Sequence, residues 1–154
     1  IKGARVLPKP VQNPFEVWLG GQAPSELRRT GRLADGWLAS FTTPHHVAEG
    51  IKVIEGAAKE AGRWMDPEHY GVLIPVSTDG IPDAVAERIA QRRPDADPED
   101  VIATSHKRLG EMIDNYLEVG ASKFVVFPSG DLGTPDEWIT EINAIADAIM
   151  HKQT

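Results

Sequence analysis

The sequence predicts an α/β fold of four parallel strand–helix units. Two observations carry that expectation. Short β-rich apolar runs alternate four times with segments whose apolar residues recur every three or four positions, and the run Tyr70 to Val76 is continuously strand-like, as a strand buried on both faces is. Strand and helix in strict alternation imply right-handed crossovers and a parallel sheet. With 154 residues the chain has the length of one domain and can enclose a sizeable core. Periodicity alone leaves two architectures open, an open doubly wound sheet and half of an eight-stranded barrel.

The first unit is the strand Val17-Trp18-Leu19, stopped by Gly20-Gly21, and a helix from about Ser25 to Leu33 anchored by Leu27 and Leu33. Asp35-Gly36 turns the chain into a second strand, Trp37-Leu38-Ala39. Thr43-Pro44 then supplies an N-cap and a first-turn proline. The helix that follows places Val47, Ile51, Ile54 and Ala58 on one face, and Gly62 is positioned to end it.

The third strand, Tyr70 to Val76, is followed by a longer, more polar stretch at about 77–104. We read this stretch as an insertion holding one helix over Ile81 to Arg93, a break at Pro94 to Pro98, and a linker to Ser105. Leu109, Met112, Ile113, Tyr116 and Leu117 mark the next amphipathic helix, closed by Gly120. Lys123 to Phe127 is the fourth strand, expected to be buried. The last helix is capped by Thr134 and opened by Pro135. Asp136 and Glu137 complement its positive end, and Ile139, Ile142, Ala146 and Ile149 form the expected buried stripe.

A net charge of -7 argues against a nucleic-acid surface, which needs clustered Lys and Arg. Arg28-Arg29 and Arg92-Arg93 read as solvated helix faces or ends. No apolar run approaches the ~20 residues of a membrane helix. The chain has no cysteine, hence no disulfide, thiol nucleophile or thiolate metal site, and nothing at its start resembles an export signal. The cytoplasm is the expected compartment. Ile1-Lys2-Gly3-Ala4-Arg5 begins without Met, as a segment of a longer chain would.

Two loops leave strand ends for helix starts. In Gly20-Gly21-Gln22 the missing Cβ atoms let an anion approach the backbone, and a helix N-terminus adds unpaired N–H groups. A plain tight turn explains the same glycines. In Ser40-Phe41-Thr42-Thr43 the hydroxyls are available to phosphate oxygens, while helix capping alone accounts for Thr43. One imidazole of His45-His46 lies within reach of an anion beside this loop. No carboxylate–histidine cluster has metal-ligand spacing. The four tryptophans read as core or helix-packing residues, with Trp37 close to the loops. A further loop, Pro128 to Gly133, is placed to close over a ligand or simply to connect strand and helix.

Val6-Leu7-Pro8-Lys9-Pro10-Val11-Gln12, then Val17-Trp18-Leu19-Gly20-Gly21, then Leu33-Ala34-Asp35-Gly36-Trp37, and finally Val119-Gly120-Ala121-Ser122-Lys123-Phe124-Val125-Val126 resemble, in order and spacing, the luciferase-like monooxygenases. The deazaflavin-using branch is the nearest in look. The resemblance implies a single partial barrel domain over residues 1–154, namely strands five to eight of a (β/α)₈ TIM barrel. It implies a flavin- or deazaflavin-dependent oxidoreductase using FMN or the deazaflavin coenzyme F420 on a small-molecule substrate. Gly20, Gly21 and Gln22, with Ser40, Phe41 and Thr42, are then the cofactor-phosphate positions.

Family residues that face the reacting ring come mainly from the first four strands, so no catalytic residue is assigned and the isolated chain is expected to be inactive. An N-terminal half-barrel or a second copy is the expected partner. The alternatives are a noncatalytic half-barrel serving as a ligand-binding or structural module, and a flavodoxin-like open sheet.

Overall fold

The chain's short apolar runs become four strands, β1 (Trp18–Leu19), β2 (Gly36–Ser40), β3 (Tyr70–Val76) and β4 (Lys123–Pro128), paired in parallel in the order β1-β2-β3-β4. The computed structural model describes residues 3, 5, 7–130 and 132–153. Ile1, Lys2, Ala4, Val6, Asp131 and Thr154 therefore lie outside the described residues. So do most of the chain start, one residue of the N-terminal run and one of the loop after β4.

The helices are α1 (Pro24–Leu33), α2 (Pro44–Glu60), α3 (Asp83–Arg92), α4 (Pro98–Val101), α5 (His106–Glu118) and α6 (Pro135–Ile149). Local chemistry sets their ends. Thr43 accepts the His46 backbone N–H at the start of α2, Ser105 accepts that of Arg108 at the start of α5, and Gly62 follows α2 with φ +66°.

The strand order runs through without reversal, and crossovers of one hand then put all the connecting helices on one side of the sheet. A doubly wound or flavodoxin-like sheet reverses its order at a switch point and carries helices on both faces. The structure excludes that alternative and matches four consecutive units of a barrel. On the helix side, Trp37 and Ala39 of β2 and Val72, Ile74 and Val76 of β3 join Val47, Ile54, Leu109, Met112 and Ile113 in one core. Helix α1 closes on α2 through Gly31, where a Cβ would meet Ala57 Cβ at 3.0 Å.

Leu38, Leu73, Val125 and Phe127 alternate with those core positions and point to the opposite side, where Trp18 lies over Gly36 and Gly71. This face is open. Val125 is 45% exposed, so β4 is not the buried strand expected. It is a sheet edge covered on one face only.

The stripe expected on α6 is also displaced. Ile145 is its buried residue while Ile139 and Ile142 are exposed, because α6 leans on α5 and β4 at the end of the sheet and its far side is uncovered among the described residues. Leu33 is likewise exposed. Leu27, Thr30 and Gly31 make the buried face of α1. Among the tryptophans, Trp37 is core, whereas Trp64 and Trp138 are exposed.

The insertion at 77–104 is more ordered than a helix and a linker. Its helix starts at Asp83, after Pro82, and α4 occupies the expected linker. Ile89, Val101 and Ile102 form a second small core. Ala103 then donates its N–H to Pro75 O and accepts from Ser77 N–H, both at 2.9 Å, which staples the insertion's return to the end of β3. Among the described residues no helix is long and apolar enough to cross a membrane.

Candidate functional site

At the C-terminal ends of β1 and β2, the two glycine- and hydroxyl-bearing loops form one wall of a cleft of about 720 Å³. Helix α2 supplies a second wall and the end of α3 a third. Gly21, Gln22, Ser40 and Phe41 line it together. Gly20 is exposed at the edge and does not line the cleft. Thr42 is buried. Its carbonyl accepts the Tyr116 O–H at 2.5 Å and its hydroxyl has no partner among the described residues.

The first loop is shaped by three contacts. Trp37 Nε1–H donates to Gly21 O at 2.9 Å, tying the loop to β2. Gly21 has φ +96°, a left-handed conformation that glycine adopts without penalty. Glu26, on the first turn of α1, folds back so that Oε2 accepts the N–H groups of Gln22 at 3.0 Å and Ala23 at 2.9 Å. The anion-competent backbone donors are thus met by the chain's own carboxylate. A phosphate reaches them only where Glu26 turns aside.

The second loop is different. Phe41 has φ 49°, the non-glycine left-handed residue among those described, and the Ser40 hydroxyl has no hydrogen-bond partner among the described residues. Arg92 and Arg93 reach this end of the cleft from the insertion. Arg93 donates to the Gln22 side-chain oxygen and to Phe41 O, and pairs with Asp95, while the Gln22 amide donates to Ser40 O. One guanidinium therefore links the insertion to both loops. Arg92 has no ion pair among the described residues. The expectation that both arginines are merely solvated is corrected for Arg93, whose side chain is 16% exposed.

His46 lies between Thr43 and Asp95, with Nδ1 2.7 Å from Thr43 Oγ1 and Nε2 2.7 Å from Asp95 Oδ2. Burial and then the Arg93 charge lower its pKa, against the opposing pull of Asp95. A neutral ring satisfies every contact: Nε2–H donates to Asp95 and Nδ1 accepts the threonine proton. Asp95 is itself held below the usual carboxylate range, first by its hydrogen bond from Arg93. His46 lines the cleft but is already engaged by these two partners. No group of three or more potential metal ligands occurs among the described residues.

A second cavity of about 240 Å³ opens beside the first, above β3 and β4 and under α3. Phe41, Arg92 and Arg93 line both. In the sequence this sharing is hidden by distance, since Gln22 and Arg93 are 71 residues apart. The proline-interrupted basic pair at the end of α3 was the available cue.

The sequence matches the family described as luciferase-like monooxygenase over residues 1–152. Among solved structures, the coenzyme F420-dependent tetrahydromethanopterin reductase from Methanopyrus kandleri is 20% identical with a TM-score of 0.60, over 92% of this chain and 52% of that one. An F420-dependent secondary alcohol dehydrogenase, solved with an F420-acetone adduct, is 19% identical with a TM-score of 0.60 over the same shares. The oxygenating constituent of the 3,6-diketocamphane monooxygenase from Pseudomonas putida, solved with FMN, is 18% identical with a TM-score of 0.63, over 90% of this chain and 49% of that one. The chain spans about half the length of these structures, as four of eight strand–helix units do. With the match running from residue 1 to residue 152 and the unbroken parallel order of the sheet, the chain belongs to the luciferase-like monooxygenase family.

Proposed function

We propose that this chain supplies the cofactor-phosphate side of a flavin- or deazaflavin-dependent oxidoreductase site. The single observation that carries the reading is the shared cleft, which both strand-end loops line together with Arg92, a residue without an ion pair among the described residues. A phosphate fits at its second-loop end, against the Ser40 hydroxyl, Arg92 and Arg93, where donors face no internal acceptor that must be displaced apart from the Arg93 contacts. It fits less well at Gly21 and Gln22, where Glu26 stands in the way. Gly20 and Thr42 act through the backbone they hold rather than by contact.

FMN and F420 are the candidate cofactors, since proteins of the same fold are described with each. Either one, when bound, carries the redox chemistry; the residues here bind and orient it. The substrate is a small molecule entering over the C-terminal strand ends, where barrels of this type place their sites. The open sheet face, with Trp18, Leu38, Leu73, Val125 and Phe127, is closed by the N-terminal half of the barrel, or in its absence by a second copy. A cysteine-free chain of this kind suits the cytoplasm.

The test is a titration of the complete polypeptide carrying these residues with FMN and with F420, followed by fluorescence. One of the two binds, and Arg92→Gln weakens it about tenfold, the scale of one charge-assisted contact. Failure of both cofactors to bind overturns the reading.

A further inference from the structure

The second cavity has a wall chemistry of its own. Four ring-bearing residues, Phe41, Phe127, Pro75 and Pro82, line it with the aliphatic Val85, Ile89 and Ile102. Pro75 and Phe127 are cross-strand partners at the ends of β3 and β4. The two hydroxyls on the wall are committed: Ser77 donates to Gly80 O at 2.6 Å and Ser129 to Val76 O at 3.1 Å. What remains is cationic. Arg88, one turn before Arg92 on α3, lines this cavity and not the cofactor cleft, and it has no ion pair or hydrogen bond among the described residues.

The wall shared with the cleft is Phe41, held at φ 49°, together with Arg92 and Arg93. A bulky residue in that region is strained and persists where the surroundings over-determine it. Phe41 therefore lines both chambers from one fixed backbone position, which makes them neighbours.

We infer that this cavity is the substrate pocket and that it takes an aromatic carboxylate, with the ring between Phe41, Phe127 and the prolines and the carboxylate on Arg88. The inference rests on the proposed cofactor cleft for its catalytic meaning, though not for its binding chemistry. A cavity of this size lined by rings and aliphatic side chains favours an aromatic ring through burial of its apolar surface. A cavity whose hydroxyl protons are spent and whose one charged group not shared with the cofactor cleft is Arg88 selects a negative charge over a neutral polar group.

The experiment measures binding of 4-ethylbenzoate and its neutral isostere 4-ethylbenzamide to the complete polypeptide by calorimetry, beside the FMN and F420 titrations. The expected result is a preference for the carboxylate of at least about tenfold, reduced to within about twofold by Arg88→Gln. Cofactor affinity in that variant stays unchanged, because Arg88 does not reach the cleft. Arg88 is exposed, so the variant folds, and its circular dichroism checks this.

Equal affinity for acid and amide, no binding of the acid, or a preference that survives Arg88→Gln overturns the inference. If a cofactor binds and the benzoate does not, the inference falls alone. If the benzoate binds with the expected charge dependence and neither cofactor does, the proposed cofactor cleft falls and the carboxylate pocket stands.

Discussion

The two loops that frame the cleft look alike in sequence and differ in what is left for a ligand. The Gly20-Gly21-Gln22 loop has the more permissive backbone, yet its N–H groups are satisfied by the Glu26 carboxylate. The Ser40-Phe41-Thr42 loop is strained and side-chain rich, yet its Ser40 hydroxyl is without a partner among the described residues and two arginines line the cleft beside it. A helix N-terminus is an anion site only while no anion of its own occupies it. The capping residue that makes α1 start cleanly is therefore the same residue that competes with a phosphate.

The largest effect expected from breaking this contrast is at Gly21. A valine there must adopt φ +96° and place its Cβ 2.5 Å from Glu26 Oε2. The strain is of order 1–3 kcal/mol before the clash is counted. The loop has to give way, moving Gln22 off Ser40 and Arg93. Gly21→Val is expected to lower the midpoint of thermal unfolding by several degrees and to weaken cofactor binding by more than tenfold. A variant with wild-type affinity removes the first loop from the site.

Much of this molecule is legible from its residues because its signals are local. Proline after a hydroxyl residue, glycine after a helix, and an apolar period of two or about 3.6 mark β1 to β4 and the four helices that cover them. The misreadings arise where a side chain's partner is remote. Ile139 and Ile142 obey the helical period but face away from α5, since a stripe shows which side of a helix is apolar and not whether anything covers it. Arg93 reads as a helix-end charge until the insertion is stapled back by Ala103 and brought over both loops. Glu26 reads as a favourable first-turn acid, which it is. Only its side-chain torsions, invisible in sequence, send the carboxylate into the donors a phosphate needs.

Removing that carboxylate sharpens the contrast, with an intermediate effect. Glu26→Ala loses a cap and a favourable dipole contact, which costs about 1 kcal/mol of stability. It also frees the Gln22 and Ala23 N–H groups and takes a negative charge from beside the phosphate position. Affinity for FMN or F420 is expected to rise several-fold while the unfolding midpoint falls. The opposite result, weaker binding with the loop otherwise native, would make Glu26 the scaffold of the binding conformation and not its competitor.

The smallest expected effect concerns His46, which ties the second loop to the insertion through Thr43 and Asp95. Its folded-state pKa lies below the unfolded value of about 6.5, with burial the leading cause and the Arg93 charge next. The folded chain therefore binds this proton less readily than the unfolded chain. The stabilisation linked to neutral His46 is fully present above pH about 6.5 and is lost as pH falls through the folded pKa. Asp95, also depressed, acts in the same direction but in the lower window below the ordinary aspartate value of 3.8. The His46 side chain is 32% exposed, which lets solvent screen the effect and keeps it below about 1 kcal/mol. Unfolding by urea at pH 5 and pH 8 is expected to show the wild-type chain gaining stability with pH, and His46→Gln, which cannot titrate, gaining less. The second loop should feel this before the first: acid protonation of His46 puts a cation beside Arg93 and loosens Ser40 and Phe41, whereas Gln22 and Ala23 are held by Glu26 on the other loop. Amide exchange that accelerates between pH 8 and pH 5 more at Phe41 and Thr42 than at Gln22 and Ala23, after correction for intrinsic rates, supports that difference. Equal acceleration in the two loops shows that they open as one unit.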